Sequence, residues 1–223
     1  MAQKESILSS VQISFLSWIG KQPTVASNYY LTGGTPLAEF YLHHRYSEDL
    51  DFFIEAQEVN LMAVQKVIKA AKEQFNLKNV SYENFQGFHT FFLEFPNEEK
   101  LKVDFNYYPF PRIESGRKEF GIAIDSLLDI AVNKIQSIGT RTKARDFIDL
   151  YFIVKEKGLV VSDLIADARN KFDFFINPIQ YGKQFLKVKE VKDFPRMIKP
   201  FDQRDLEHFF ISEAEKLRGE ILE

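Results

Sequence analysis

A chain of 223 residues is one large domain or two small ones at the usual scale of roughly 100 to 200 residues per domain. Its 45% hydrophobic and 27% charged residues exclude a disordered or fibrous chain, and no apolar run reaches the roughly 18 residues of a membrane span. The first segment lacks the layout of an export signal, so a soluble protein that stays in the cytoplasm is expected.

Residues 5–20 carry Ile7, Leu8, Val11, Phe15 and Ile19 at helical spacing, and Pro23 ends that helix. YYLTGG reads as a short aromatic strand stopped by two glycines, and PLAEFYLHH as a helix with Pro36 in its first turn. DLDFFI is a strand, residues 58–75 an amphipathic helix, and FNLKNVSYENF an extended segment. HTFFLEF and LKVDFNYY, joined by PNEEK, predict an antiparallel hairpin. After Pro109 and Pro111, residues 110–125 read as a linker, and from Ser126 the apolar residues keep helical spacing. Helices are expected near 126–138, 143–157, 162–174, 178–187 and 204–221. The fold class is α+β, an α/β half followed by a helical half.

With no cysteine, the chain has no disulfide framework, thiolate zinc site or cysteine nucleophile. A metal must sit on oxygen or imidazole, and oxygen points to Mg2+ or Mn2+. His43, His44, His89 and His208 form no metal-binding spacing, and H-E-x-x-H and G-x-S-x-G are absent, which removes peptidase and common hydrolase chemistry. The net charge of −3 argues against a protein coated uniformly with nucleic acid. Charge is nevertheless polarised: residues 39–60 hold six acids against Arg45, whereas residues 183–204 are rich in lysine and arginine.

Asp49 and Asp51 lie two apart in a predicted strand, so both carboxylates leave one face. Two like charges so close call for a cation. In LKVDFNYY the same alternation sets Lys102, Asp104 and Asn106 opposite Leu101, Val103 and Phe105. Three carboxylates on neighbouring strands suit a divalent metal and in-line phosphoryl chemistry; each acid alone equally suits a solvated strand end. Gly33, Gly34 and Thr35 join a strand to a helix, where glycine admits either a tight turn or a close ligand. Lys134 falls inside the apolar arc of its helix, between Ile130 and the pair Leu127 and Ile138, aimed into a cleft or snorkelling to water. Asp129 with Ser126 fits a helix-start pattern, and capping is its expected role. In KARDFIDLYFIV, Arg145, Asp146 and Asp149 form a narrow polar strip, with Arg145 and Asp149 spaced to pair.

Taken together, LTGGTPLAEFYLHHRYSEDLDFF, VDF, DIAVNK and KARDFIDLY, spread over about residues 30–155, resemble the AbiEii/AbiGii toxin family of the nucleotidyltransferase superfamily. The resemblance implies a nucleotidyltransferase-like mixed sheet with flanking helices over residues 1–115 and a helical domain over 116–223 that contributes Lys134 and the Arg145–Asp149 strip to the cleft. It makes Asp49, Asp51 and Asp104 the catalytic, metal-holding residues. Gly33, Gly34, Thr35, Ser47, Lys134, Arg145, Asp146 and Asp149 become nucleotide-binding. Thr35 stands where the wider superfamily often has serine, and keeps the hydroxyl. The implied activity is transfer of a nucleotide from an NTP to a hydroxyl, with Mg2+ or Mn2+, by the toxin of a bacterial toxin–antitoxin or phage-defence pair. The expected partners are an RNA acceptor, with the 3′ end of tRNA first, and a cognate antitoxin; no membrane is expected. A protein or small-molecule acceptor, and a catalytically silent binding module, are the alternatives.

Overall fold

The computed structural model describes residues 6–174 and 176–219. Residue 5 of the expected first helix and residues 220 and 221 of the expected last one lie outside the described residues. The chain divides into two units: one runs to Tyr41 and resumes over Ser47–Ser126, and the other joins Leu42–Tyr46 to the chain from Leu127 onward.

The first unit is built on a seven-stranded mixed sheet of order β3-β4-β5-β2-β1-β7-β6. Its strands are β1 (Tyr30–Thr32), β2 (Leu50–Ile54), β3 (Asn79–Phe85), β4 (Phe88–Glu94), β5 (Lys100–Tyr107), β6 (Lys118–Glu119) and β7 (Ile122–Ile124). Strands β4 and β5 form the expected antiparallel hairpin, while β2 and β5 run parallel. A second hairpin, β3–β4, turns on Gln86 and Gly87, both at positive φ (51° and 86°), the conformation that a two-residue loop needs to follow the strand twist. The expected linker at 110–125 is corrected. This stretch carries β6 and β7, β7 pairs in parallel with β1, and the unit ends at Ser126 rather than at 115. Two- and three-residue strands are too short to show an alternating pattern in sequence.

Helices α1 (Ser10–Ile19) and α4 (Leu61–Gln74) supply the apolar residues that cover one sheet face. α1 opens with a capping box in which Ser9 and Gln12 satisfy each other's backbone N–H. Phe15, Leu16 and Ile19 of α1 and Val64 and Ile68 of α4 bury with Leu50, Phe52, Val103 and Phe105, and the rings of Phe52 and Phe105 stack at 5.1 Å. Burying Leu50, Phe52 and Ile54 on one side commits Asp51 to the other. α2 (Pro23–Ala26) is a single turn, and α3 (Gly34–Pro36) runs into a π-helical stretch, Leu37–Leu42.

The second unit is helical: α5 (Leu127–Thr140), α6 (Ala144–Lys157), α7 (Val161–Lys171), α8 (Pro178–Leu186) and α9 (Gln203–Gly219). Ile130, Ile135, Ile138, Phe147, Leu150, Leu164, Phe185 and Phe210 are buried, with Phe147 and Phe210 edge to face at 4.9 Å. No helix among the described residues is long and apolar enough to cross a membrane.

Candidate active site

The register of the sheet brings the strand carboxylates together. Asp51 on β2 sits opposite Asp104 on β5, and Thr32 on β1 sits opposite Asp51. Asp49 precedes β2 by one residue, and its side chain is about one-third exposed. Thr90 on β4 faces Asp104 across the next pair, and its hydroxyl donates to Asp104 Oδ1 at 2.6 Å. Lys102, two residues before Asp104 on the same strand face, donates from Nζ to Asp104 Oδ2 at 2.5 Å and lies 3.5 Å from Asp49 Oδ2.

Charge explains this arrangement. Burial, followed by the repulsion of Asp104 and Asp49 and a hydrogen bond with Asp104, pushes the Asp51 carboxyl up to about 7, with Lys102 acting against the shift. Partial burial alone would depress Lys102, but its hydrogen bond to Asp104 and the attraction of all three aspartates hold the ammonium above the ordinary lysine range. The site therefore has more negative charge than Lys102 neutralises.

No group of three or more histidine, aspartate or glutamate side chains among the described residues forms a ready metal cluster. The donor chemistry still fits a hard divalent cation, because the donors are carboxylate oxygens and their mutual repulsion raises Asp51.

The glycine turn lies directly against this cluster. Gly33 has φ 84° and ψ −151°, and a Cβ placed there would stand 2.6 Å from Asp51 Oδ2. Only glycine lets the chain pass so close to the carboxylate. Gly33→Ala is expected to lower stability by roughly 1 to 3 kcal/mol through backbone strain and to impair any reaction at Asp51; a thermal melt paired with an activity assay checks both. Thr35 donates its hydroxyl proton to the Asp49 carbonyl at 2.5 Å, so this hydroxyl fastens the turn to the start of β2. The Ser47 carbonyl accepts from Gln12 Nε2 at 3.0 Å, which ties the same approach to α1.

In the second unit, Lys134 neither projects into open space nor snorkels to water. Its Nζ lies 2.8 Å from Asp146 Oδ1 and 2.7 Å from Asp149 Oδ2, both carboxylates fully buried. Asp149 also accepts from Arg45 Nε at 2.6 Å and Nη2 at 2.8 Å, and pairs with His44 Nε2 at 2.7 Å. Arg141 Nε adds a 2.8 Å contact to Asp146. Burial alone would raise both acids; Arg45 and Lys134 instead hold Asp149 well below the ordinary carboxylate range, and Lys134 and Arg141 hold Asp146 below it. The expected polar strip on α6 is thus corrected: Arg145 is exposed, while Asp146 and Asp149 face the interior and bind other cations. Asp129 lies in the first turn of α5, as a helix-start acid should, but it is fully buried and takes a 2.7 Å ion pair from Lys171.

Sequence reasoning placed Lys102 on the face of Asp104 without giving it a role; its i−2 spacing on a strand was the available signal. His44 and Arg45 gave no such signal, since Asp149 lies more than one hundred positions away.

The family model that matches residues 20–217 is described as Nucleotidyl transferase AbiEii toxin, Type IV TA system. The chain belongs to the AbiEii nucleotidyltransferase toxin family. The match extends well past Tyr151, where the recognisable motif string ends, so the helical unit belongs to the family as well. The uncharacterized protein aq_aa25 of Aquifex aeolicus is 28% identical over 151 residues, 66% of this chain and 68% of that protein. A candidate nucleotidyltransferase from Helicobacter pylori superposes with a TM-score of 0.59 at 21% identity, covering 97% of this chain and 99% of its own. MenT4, a nucleotidyltransferase toxin from Mycobacterium tuberculosis, gives 0.57 at 13% identity, covering 92% and 83%. At such identities the two structures show a shared fold. Membership of the AbiEii family makes the activity class nucleotidyl transfer, with an NTP as substrate and an antitoxin as genetic partner.

Proposed function

We propose that this AbiEii-family protein moves a nucleotidyl group from an NTP to a hydroxyl of RNA, with the 3′ end of tRNA as first candidate, and acts as the toxin of its pair. The observation that carries this reading is the register of β2 against β5, which faces Asp51 with Asp104 beside a glycine turn that only glycine can make. Asp49, Asp51 and Asp104 would hold Mg2+ or Mn2+, which supplies neutralising charge and a more acidic acceptor hydroxyl.

The acceptor oxygen forms a bond to the α-phosphorus, the bond from that phosphorus to the bridging oxygen breaks, and pyrophosphate leaves. Asp104 helps activate the acceptor hydroxyl and is itself oriented by Thr90 and Lys102. The Gly33–Gly34–Thr35 turn approaches the triphosphate with its backbone. Lys134, Asp146 and Asp149 support the helical unit through their ion pairs.

Incubating the protein with labelled NTPs, Mg2+ and total RNA should place label on RNA, and Asp49→Ala should abolish it. Label that survives ribonuclease in a protein band would move the acceptor to a protein hydroxyl. Absence of label with every NTP, metal and acceptor, together with tight NTP binding, would make the chain a silent binding module.

A further inference from the structure

Beyond Asp104 the sheet carries a second feature. A cavity of about 320 Å³ opens where the β3–β4 turn, the end of β5 and the segment before α4 meet, lined by Glu58, Gln86, Phe88, Asn106 and Tyr107 among others. Phe88 is 53% exposed and Tyr107 40%, so both aromatic side chains reach solvent at the cavity. Thr90 bonds Asp104, and Phe88, two residues earlier on β4, therefore emerges on the same sheet face as the carboxylates. Asn106 lies two residues along β5 from Asp104, about 7 Å at the usual strand rise. Its Oδ1 accepts from the His89 N–H at 3.3 Å, and its amide nitrogen makes no hydrogen bond among the described residues.

The lining chemistry selects the occupant. No lysine or arginine lines the cavity, so it is not built for phosphate. Phe88 on the carboxylate face, Tyr107 at the end of β5, where alternation sets it on the opposite strand face from Asp104 and Asn106, and the edge groups of Asn106, Gln86 and Glu58 suit a flat heteroaromatic ring that stacks on one side and hydrogen-bonds at its rim. Sheet order assigns the side of the reaction. The glycine turn follows β1, the carboxylates occupy β2 and β5, and Phe88 lies on β4, so the cavity lies across the carboxylates from the turn that approaches the triphosphate.

We propose that this cavity takes one unpaired nucleobase of the RNA acceptor, next to the nucleotide whose hydroxyl reacts at Asp104. The proposal rests on the transfer reading above and adds to it a requirement for single-stranded acceptor, since a paired base must first leave its stack.

The test measures binding of a fluorescein-labelled short single-stranded oligoadenylate by anisotropy at fixed salt, and the KM for RNA in the label-transfer assay. The wild type is compared with Phe88→Ala, Tyr107→Ala and Phe88→Trp. Both alanine variants should weaken oligoadenylate binding and raise the KM for RNA by roughly 5- to 150-fold, the span of one lost base stack, while the Kd for NTP stays within about twofold. Phe88→Trp should restore binding, and a fully paired duplex should bind poorly to every form.

Unchanged oligoadenylate binding and KM in both alanine variants would overturn the proposal and leave the transfer reading intact. Loss of NTP affinity in step with RNA would also overturn it, by giving the cavity to the donor base. A wild type that is dimeric by light scattering, with a monomeric Phe88→Ala, would assign the surface to a second copy instead. If the wild type labels no RNA yet binds oligoadenylate through Phe88, the transfer reading fails and the base site stands.

Discussion

Asp51→Asn is expected to reduce nucleotidyl transfer on the order of 10² to 10³-fold or more while making the metal-free protein more stable at pH 8. The two effects share one cause. The folded protein holds the Asp51 carboxyl at about 7 against an ordinary 3.8, because burial and the neighbouring Asp104 and Asp49 oppose its charge. Between those two pH values the folded state keeps a proton that the unfolded chain has released. By linkage, this group's contribution to stability falls as pH rises from about 4 through 7. An amide has no charge to bring into that site, so the variant should lose the decline. Thermal melts of wild type and variant from pH 5 to 8 in chelator check the sign, and addition of Mg2+ should raise the Tm of the wild type and not of the variant. Equal transfer rates in the two proteins would remove the sheet carboxylates from the reaction.

Asp149→Ala is expected to be the most destabilising single change in the helical unit, at about 3 to 5 kcal/mol and roughly 10 °C or more in Tm. Removing this carboxylate leaves Arg45 and His44 without their Asp149 bonds in a buried site and leaves Lys134 with Asp146 alone. Lys134→Ala should cost a similar amount, because two buried carboxylates then lose their shared ammonium. A lysine that held only a triphosphate would give a variant with unchanged melting, and that outcome would refute the network's structural role. The pH dependence runs opposite to that of Asp51. Asp146 and Asp149 are held below the ordinary carboxylate range, so their contribution is present above pH about 4 and is lost as pH falls toward their depressed folded values. Acid titration of the wild type, followed by circular dichroism, should show unfolding that Asp149→Ala brings to higher pH.

The sequence by itself determined the alternation that puts Asp51 and Asp104 on polar strand faces, the β4–β5 hairpin, the five helices after Ser126 and the family, while Asp49, read as part of the same strand as Asp51, stands one residue before it. These features are local: period-two and period-3.6 patterns are written over a handful of neighbouring residues, and the motif order is read along the chain. Tertiary structure alone decided that Asp51 meets Asp104, since strand partners 53 positions apart leave no periodic trace. It also drew residues 118–124 into the sheet, where pairing with β1 stabilises strands too short to show a pattern. The helical wheel correctly put Lys134 on the apolar side of α5 but could not supply its partners. A buried ammonium must find carboxylates wherever the fold brings them, and here they come from the inward face of α6, where the i, i+4 spacing had offered Asp149 only Arg145 as a partner.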